Sequence, residues 1–146
     1  MGDTTHLGSR HIQMTDRRFG KLKLLQDGTY ERRNADSAVA LLPWGGSKGT
    51  VREAYLQLRG EGVDIGWIFT MTLHPLPEAV SDEIGRKELV IVPELNYQGQ
   101  WSRLLRADGF RATSITQYTG LPFKVRDLVK EIKQSIEAHK GGKVLV

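Results

Sequence analysis

Ala38–Gly49 reads AVALLPWGGSKG, and Thr50–Gly62 continues the chain with TVREAYLQLRGEG. An apolar run of strand length meets a glycine-rich turn, and the turn opens onto a helix with one apolar stripe. Two further apolar runs, at Val63–Phe69 and Glu88–Pro93, repeat this order downstream. The pattern predicts an α/β domain with a small, mostly parallel sheet and helices on both faces. Its function is expected in the loops at the carboxyl ends of the strands.

Size and composition restrict the class of protein. A chain of 146 residues has room for one domain, and 39% apolar with 26% charged residues is ordinary for a globular protein. No apolar run approaches the roughly 20 residues that span a bilayer, and the first residues lack the apolar core of a secretory signal. Because the sequence has no cysteine, this chain cannot hold a disulfide, thiolate-bound zinc or an iron–sulfur cluster. These features predict a cytoplasmic location and no membrane partner.

The net charge of +4 raises the question of nucleic acid. Residues 1–34 carry seven Lys or Arg against four acids, and Arg17, Arg18, Lys21 and Lys23 are interleaved with apolar residues at helical spacing. We interpret these cations as the solvated face of a helix that packs against something. No aromatic platform or recognisable nucleic-acid signature accompanies them, so a nucleic-acid partner is not expected.

The sequence predicts two parts, a lead-in segment with a linker helix over residues 1–34 and an α/β domain over residues 35–146. The first 13 residues are expected to be irregular, and the last three to be loose or paired with a sheet edge. The predicted strands are Thr29–Arg32, Ala38–Leu42, Val63–Phe69, Leu89–Val92 and Ala112–Thr116. The predicted helices run from Thr15 or Asp16 to Leu25, from Thr50 to Gly60, over Glu78–Arg86, after Gly99 and over Val125–His139.

Local signals refine these helices. Thr50 and Glu53 have the spacing of a capping box, which predicts that the first long helix begins at Thr50. The helix after Gly99 is expected to bury Trp101, Leu104 and Leu105 on one face.

The first polar loop at a strand end is the glycine-rich turn. It comprises Trp44, Gly45, Gly46, Ser47, Lys48 and Gly49. Glycines allow a ligand to approach the backbone, and a helix N-terminus with a lysine favours an anion. The spacing matches neither of the common nucleotide-binding patterns, however. Two interpretations remain, a tight turn that packs against a neighbouring domain and a site for an anion or a cofactor phosphate.

The second polar loop, Glu94–Gln100, reads ELNYQGQ and also follows a strand. Glu94, Asn96, Tyr97 and Gln100 place one acid, two amides and a phenol near the crevice expected where the strand order reverses. Glu94 could act as a base if it were buried, but no His, Ser or second acid stands nearby to form a pair. Amides and phenols suit hydrogen bonding across a subunit contact, which is the interpretation that we prefer.

Residues with a familiar catalytic pattern are missing from the chain. There is no GxSxG, HExxH or CxxC motif, and the four histidines do not have the spacing of metal ligands. We therefore predict no catalytic residue and no metal site on this chain. Trp44, Trp101 and Tyr97 are expected near inter-domain loops, which predicts surfaces that self-associate when the chain is isolated.

Several separate motifs resemble one family. WGGSKGTVREAYLQLRGEGVDIGWIFTMTLHPLP and LVIVPELNYQGQWSRLLR resemble the α subunit of 2-oxoacid:ferredoxin oxidoreductases, particularly the 2-oxoglutarate type. The likeness covers nearly all of residues 11–139. It implies a three-layer α/β/α sandwich with a mixed five-stranded sheet, as in the carboxyl-terminal domain of transketolase, with Thr29–Arg32 as the antiparallel strand.

The resemblance also implies a function and its cofactors. The whole enzyme would decarboxylate a 2-oxoacid on thiamine diphosphate and magnesium, pass electrons through iron–sulfur clusters to ferredoxin, and make an acyl-CoA. This chain lacks the GDG…N motif and cysteines of those sites, so it is expected to carry no cofactor and no turnover of its own. Gly45–Gly49 and Glu94–Gln100 match family loops that are expected to contact the remaining α-subunit domains or the β subunit.

Two departures from the family pattern are visible. Where the family has WGST, Trp44–Ser47 read WGGS in this chain. Where the family has Thr-Pro at the start of the last helix, this chain has Lys124-Val125. Both departures are compatible with the fold. We therefore expect a non-catalytic assembly domain, either a truncated subunit or a split one. The alternative is a stand-alone α/β module that binds an anionic ligand at Gly45–Gly49.

Overall fold

The structure, a computed structural model, describes residues 6–25 and 30–142. These residues contain five strands, β1 (Tyr30–Arg33), β2 (Val39–Leu41), β3 (Gly66–Thr70), β4 (Leu89–Glu94) and β5 (Ala112–Thr116). Five α-helices accompany them, α1 (Gly8–Gly20), α2 (Lys48–Gly60), α3 (Glu78–Gly85), α4 (Gln100–Ala107) and α5 (Val125–Lys140). The expected α/β class is confirmed, and residues 144–146, for which edge pairing was considered, lie outside the described residues.

The five strands form one mixed sheet in the order β1-β3-β2-β4-β5. β1 runs antiparallel to β3, and the other neighbours are parallel. The chain passes from β2 outward to β3, then crosses back to β4 on the other side of β2. The strand order therefore reverses between β2 and β4, which is where open α/β sheets form a crevice at their carboxyl ends.

Helices cover both faces of the sheet, because the central strands are apolar on both sides. On one face the side chains of Leu41, Trp67 and Ile91 pack against α2 and α5, and on the other Ala40, Ile68 and Val90 pack against α3 and α4. Each face has its own apolar core. The three-layer arrangement confirms the expected architecture.

A buried ion pair joins α3 to the segment before β2. Glu83 is 2% exposed, and its carboxylate lies 3.0 Å from Lys87 Nζ and 3.0 Å from Arg86 Nη2. Lys87 also donates to the backbone carbonyls of Ala35 and Ser37. Lys87 is thereby supplied with acceptors in the interior, and the segment that leads from β1 into β2 is fastened to the sheet.

The lead-in differs most from the prediction. α1 begins at Gly8, so residues 8–13 are helical and not irregular, and the expected start at Thr15 or Asp16 is wrong. None of its side chains is buried; Phe19, for example, is 63% exposed. Helical periodicity identified the segment, but the expected packing is absent among the described residues.

Two local predictions also fail. α2 begins at Lys48, so Thr50 lies inside the helix and Glu53 forms no capping box with it. The three-residue 3-10 helix Gly45–Ser47 leads straight into α2 and takes the place of a side-chain cap. On α4, Trp101 and Leu105 are buried as expected, but Leu104 is 37% exposed.

Candidate functional site

The glycine-rich turn after β2 is held in place by a buried serine. Ser47 Oγ donates to the Trp44 carbonyl at 2.8 Å and approaches the Pro93 carbonyl at 3.3 Å. Because Pro93 lies in β4, the second contact fastens the turn to the neighbouring strand. Gly45 has a φ of +55°, a conformation that costs residues with a Cβ about 1–2 kcal/mol.

The Lys48 ammonium is engaged within the protein. Its Nζ lies 2.7 Å from Glu31 Oε1 and 3.7 Å from the centroid of the Phe69 ring. The hydrogen bond from Lys48 lowers the pKa of Glu31, which favours the ion pair. Both contacts direct Lys48 towards β1 and β3.

Glu94 is fully buried at the start of α4. Its Oε2 accepts hydrogen bonds from Trp101 N at 2.9 Å and Asn96 Nδ2 at 3.0 Å, and its Oε1 accepts one from Ser102 N at 3.0 Å. Two of these donors are backbone N–H groups of the first helical turn, which have no partner within the helix. The carboxylate therefore satisfies the N-terminus of α4, and no acceptor capacity is turned towards solvent.

Asn96 shapes the rest of this turn. Its Oδ1 accepts from the backbone N–H groups of Gln98, Gly99 and Gln100 at 3.1, 2.7 and 3.2 Å. An Asn side chain commonly replaces backbone acceptors in this way at turns. Glu94 and Asn96 thus hold the turn so that Tyr97, 71% exposed, projects to the surface.

The two predicted loops meet in space. A shallow cavity of about 200 Å³ lies between them, lined by Trp44, Gly45, Gly46, Ser47, Leu95, Asn96 and Gln100. It lies at the carboxyl ends of β2 and β4, where the strand order reverses. Trp44 packs edge-on against Trp101 at 6.4 Å between ring centroids. Four of the predicted residues do not line the cavity. They are Glu94, which is buried, Lys48, Gly49, and Tyr97, which follows Asn96 in the chain.

Exposed apolar side chains follow several strand ends at the same edge of the sheet as this cavity. Residues 30–142 contain seven large apolar side chains that are exposed, and five of them follow the carboxyl ends of parallel strands: Met71, Leu95, Tyr97, Tyr118 and Leu121, which are 80%, 41%, 71%, 65% and 66% exposed. We call these five residues, together with Trp44–Ser47, the carboxyl-edge surface. A concentration of exposed apolar side chains along one edge is typical of an interaction site.

The sequence analysis missed three members of this surface. Met71, Tyr118 and Leu121 were not singled out, although each closely follows a predicted strand. Their position in the chain was a usable signal, because parallel strands end at one edge of a sheet. Trp101, which was expected to face inward and to lie near an inter-domain loop, is buried beside Trp44, with an exposure of 3%.

The described part of the chain offers neither a metal site nor a membrane span. Within residues 6–25 and 30–142, no group of three His, Asp or Glu side chains is placed to hold a metal ion. No helix in the same ranges combines the length and the apolar character needed to cross a bilayer.

Comparison with known proteins gives three informative similarities, whereas no family model matches. The chain is 35% identical over 101 residues, 67% of its length, to the 2-oxoacid:ferredoxin oxidoreductase subunit alpha of Saccharolobus solfataricus, and covers 16% of that protein. It is 27% identical over 146 residues, 98% of its length, to the 2-oxoglutarate oxidoreductase subunit KorA of Mycobacterium tuberculosis, and covers 22% of it.

A solved structure agrees with these relatives. The chain superimposes with a TM-score of 0.81 and 32% identity on the 2-oxoglutarate:ferredoxin oxidoreductase from Magnetococcus marinus, solved with 2-oxoglutarate, coenzyme A and succinyl-CoA bound. The match covers 92% of this chain and 25% of that one. The chain therefore spans a quarter or less of the length of each of these proteins.

Proposed function

Because this chain is homologous to part of the α subunit of 2-oxoacid:ferredoxin oxidoreductases, we propose that it is a non-catalytic assembly domain of such an enzyme. The whole enzyme would be of the 2-oxoglutarate type, making an acyl-CoA and reduced ferredoxin. The observation that carries the proposal is the carboxyl-edge surface, because five of the seven exposed large apolar side chains of residues 30–142 follow strand ends along this one edge of the sheet.

The chemistry of this surface suits a protein partner. Aromatic residues and methionine are enriched at interfaces, and the surface offers Tyr97, Tyr118 and Met71. Asn96 and Gln100 line the adjoining cavity with amides that can donate and accept hydrogen bonds at its rim. The remaining domains of the α subunit, or its β subunit, are the partners that we propose for it.

The buried polar groups of the site stabilise the two loops that form the surface. Glu94 and Ser47, the two groups that could be considered for acid–base or nucleophilic chemistry, are buried and bonded to backbone groups. Since the sequence has no cysteine, it does not fit an iron–sulfur cluster, and no group of three His, Asp or Glu among the described residues is placed to hold the magnesium that accompanies thiamine diphosphate. We place those cofactors, and CoA, on other parts of the enzyme and derive no catalytic step here.

The alternative, a stand-alone module that binds an anion at Gly45–Gly49, is supported less well. Backbone N–H groups at this turn could bind a phosphate, and a free cation or hydroxyl would strengthen that binding. Lys48 is held by Glu31, and Ser47 Oγ is committed to backbone carbonyls.

The assembly role can be tested by tagging the chain in its native host. The purified preparation is assayed for methyl viologen reduction with 2-oxoglutarate and CoA, and its composition is determined by mass spectrometry. We expect co-purification with further oxidoreductase polypeptides and activity only in that complex. Activity of the chain alone with 2-oxoglutarate and thiamine diphosphate would contradict the proposal.

A matched pair of variants tests whether the partner binds at the carboxyl-edge surface. Leu121→Asp places a charge in the carboxyl-edge surface, whereas Leu56→Asp does the same on the outer side of α2, where the side chain is 47% exposed. We expect the first variant to lose at least tenfold of the co-purifying partner and the second to keep it. Equal retention by both variants would show that the partner binds elsewhere.

A further inference from the structure

The two edges of the sheet are chemically different. β1, at one edge, reads Tyr-Glu-Arg-Arg, so three of its four side chains are charged. Charged side chains on an edge strand discourage the addition of another strand. β5, at the opposite edge, reads Ala-Thr-Ser-Ile-Thr and contains neither a charge nor a proline. The β5 edge therefore lacks the usual protection against pairing.

Among the described residues, some backbone groups of β5 have no hydrogen-bond partner at this edge. Two backbone hydrogen bonds mark the ends of the pairing between β5 and β4. Val90 N donates to the Arg111 carbonyl at 2.8 Å, and Gln117 N donates to the Glu94 carbonyl at 3.0 Å. Alternate residues of a strand face the same neighbour, so residues 111, 113, 115 and 117 bond to β4. Ser114 and Thr116 direct their N–H and C=O groups away from β4, and no other described residue forms a hydrogen bond with those groups.

A cavity of about 420 Å³ opens where this edge begins. Leu89, Phe110 and Ala112 give it an apolar lining, and Arg106 and Arg111 lie at its rim. Arg106 also donates to the Ala112 carbonyl at 3.0 Å, so this carbonyl at the start of β5 already has a hydrogen-bond donor.

The remaining charged residues of the cavity, Glu88 and His139, face each other at 3.6 Å. Glu88 therefore has a cationic partner whenever His139 is protonated, and the two arginines leave the rim with an excess of positive charge. An apolar cavity with a cationic rim suits an apolar side chain that has an acidic neighbour.

We propose that the β5 edge binds an extended segment of another polypeptide by strand addition. Ser114 and Thr116 pair with its backbone, a β-branched side chain of the segment enters the cavity, and an acidic side chain meets Arg106 and Arg111. Main-chain pairing supplies affinity in this mode of recognition, and the side-chain cavity supplies specificity.

Charge distinguishes this occupant from two others. A second copy of β5 would bring another uncharged strand flanked by Arg111, and it supplies no acid to the rim. Residues 143–146 of the chain itself read KVLV and contain a lysine but no acid. An acidic segment from a different polypeptide is the occupant that the rim favours.

Amide hydrogen exchange of the full chain tests the proposal. The probe is an acetylated, amidated hexapeptide of alternating valine and threonine with a glutamate at each end. We expect the Ser114 and Thr116 amides to exchange at least tenfold more slowly with millimolar probe. A probe with lysines in place of the glutamates should protect them much less.

Variants and controls separate the alternatives. Arg111→Glu should weaken binding of the probe at least tenfold, whereas Arg52→Glu, an exposed position on α2, should leave it unchanged. Protection of Ser114 in the free, dilute chain that disappears when residues 143–146 are deleted would overturn the proposal in favour of those residues. Protection that grows with chain concentration would overturn it in favour of a second copy. Equal protection by the two probes, or none by either, would also overturn it.

Discussion

Tyr97 and Tyr118 meet edge to face at the surface of the protein, with ring centroids 4.9 Å apart and an interplanar angle of 83°. They belong to different loops, Tyr97 to the turn after β4 and Tyr118 to the segment after β5. Both rings remain mostly exposed. The pair therefore joins two strand ends into one aromatic platform that is held in shape before any partner arrives.

A double-mutant cycle measures this coupling. Edge-to-face aromatic pairs are worth about 0.5–1.5 kcal/mol beyond the area that they bury, so Tyr97→Ala and Tyr118→Ala should be non-additive by about 0.5–1 kcal/mol in urea unfolding. Additive effects would show that the two loops hold their positions independently. Each single variant should destabilise the chain by less than about 1.5 kcal/mol, because the rings are exposed.

Glu94→Gln tests the buried carboxylate at the start of α4. Glutamine offers one acceptor oxygen where glutamate offers two, and its amide N–H groups would face the backbone donors of Trp101 or Ser102. We expect a loss of about 3 kcal/mol in the free energy of unfolding, measured with urea. The control is Glu53→Gln on α2; because Glu53 is exposed and forms no capping box, a change within about 0.5 kcal/mol is expected there. Equal losses would remove the special role of Glu94.

Two glycines with nearly the same backbone angle form a matched pair. Gly45 has a φ of +55° and open space around a Cβ, whereas Gly99 has a φ of +61° and a Cβ there would lie 2.7 Å from Ser114 Oγ. Gly45→Ala should cost about 1 kcal/mol from backbone strain alone. Gly99→Ala should cost clearly more in the same thermal unfolding experiment, because Ser114 must also move. A smaller cost for Gly99→Ala would contradict the close packing of α4 on β5.

The buried Glu83 predicts how stability depends on pH. Burial alone would raise the pKa of Glu83, but hydrogen bonds and charges from Lys87 and Arg86 outweigh it and hold the pKa below its ordinary value of 4.5. Since the folded-state pKa is the lower one, Glu83 stabilises the fold above pH 4.5, and that share is lost as the pH falls through the folded-state value. Unfolding free energies measured by urea between neutral and acidic pH should show this loss.

Glu83→Gln isolates that contribution from the other carboxylates. The variant leaves Lys87 charged, buried and without its ion-pair partner, so about 3–5 kcal/mol should be lost at neutral pH. The gap between the parent chain and the variant should narrow as the pH falls. A constant gap across the whole range would show that Glu83 is not ionised in the folded chain.

The three central strands were predictable because each is an apolar run bounded by turn residues. Ala112–Thr116 agrees with β5 at both ends, and the edge strand predicted over Thr29–Arg32 is found as β1, Tyr30–Arg33. The boundary of α2 was not predictable in the same way. Thr50 and Glu53 have the right spacing for a cap, but the preceding glycine-rich turn already curls into a helical turn and moves the start to Lys48.

For the candidate site, the position of the two loops at strand ends was predictable from the sequence, but the contacts that their side chains form were not. Strand order, which brings the loops together between β2 and β4, depends on tertiary contacts. The burial of Glu94 depends on where α4 begins relative to the end of β4, which no local pattern encodes. The boundary near residue 34 and the interface role of Tyr97 and Gln100 stay predictions.

Trp44 gives the molecule a built-in optical reporter. Trp67 and Trp101 are already buried, with exposures of 1% and 3%, whereas Trp44 is half-buried in the loop that lines the cavity. A protein that covers the carboxyl edge would dehydrate this one indole and leave the other two unchanged. Its arrival should therefore shift the intrinsic fluorescence to shorter wavelength, so that docking can be followed in solution without a label.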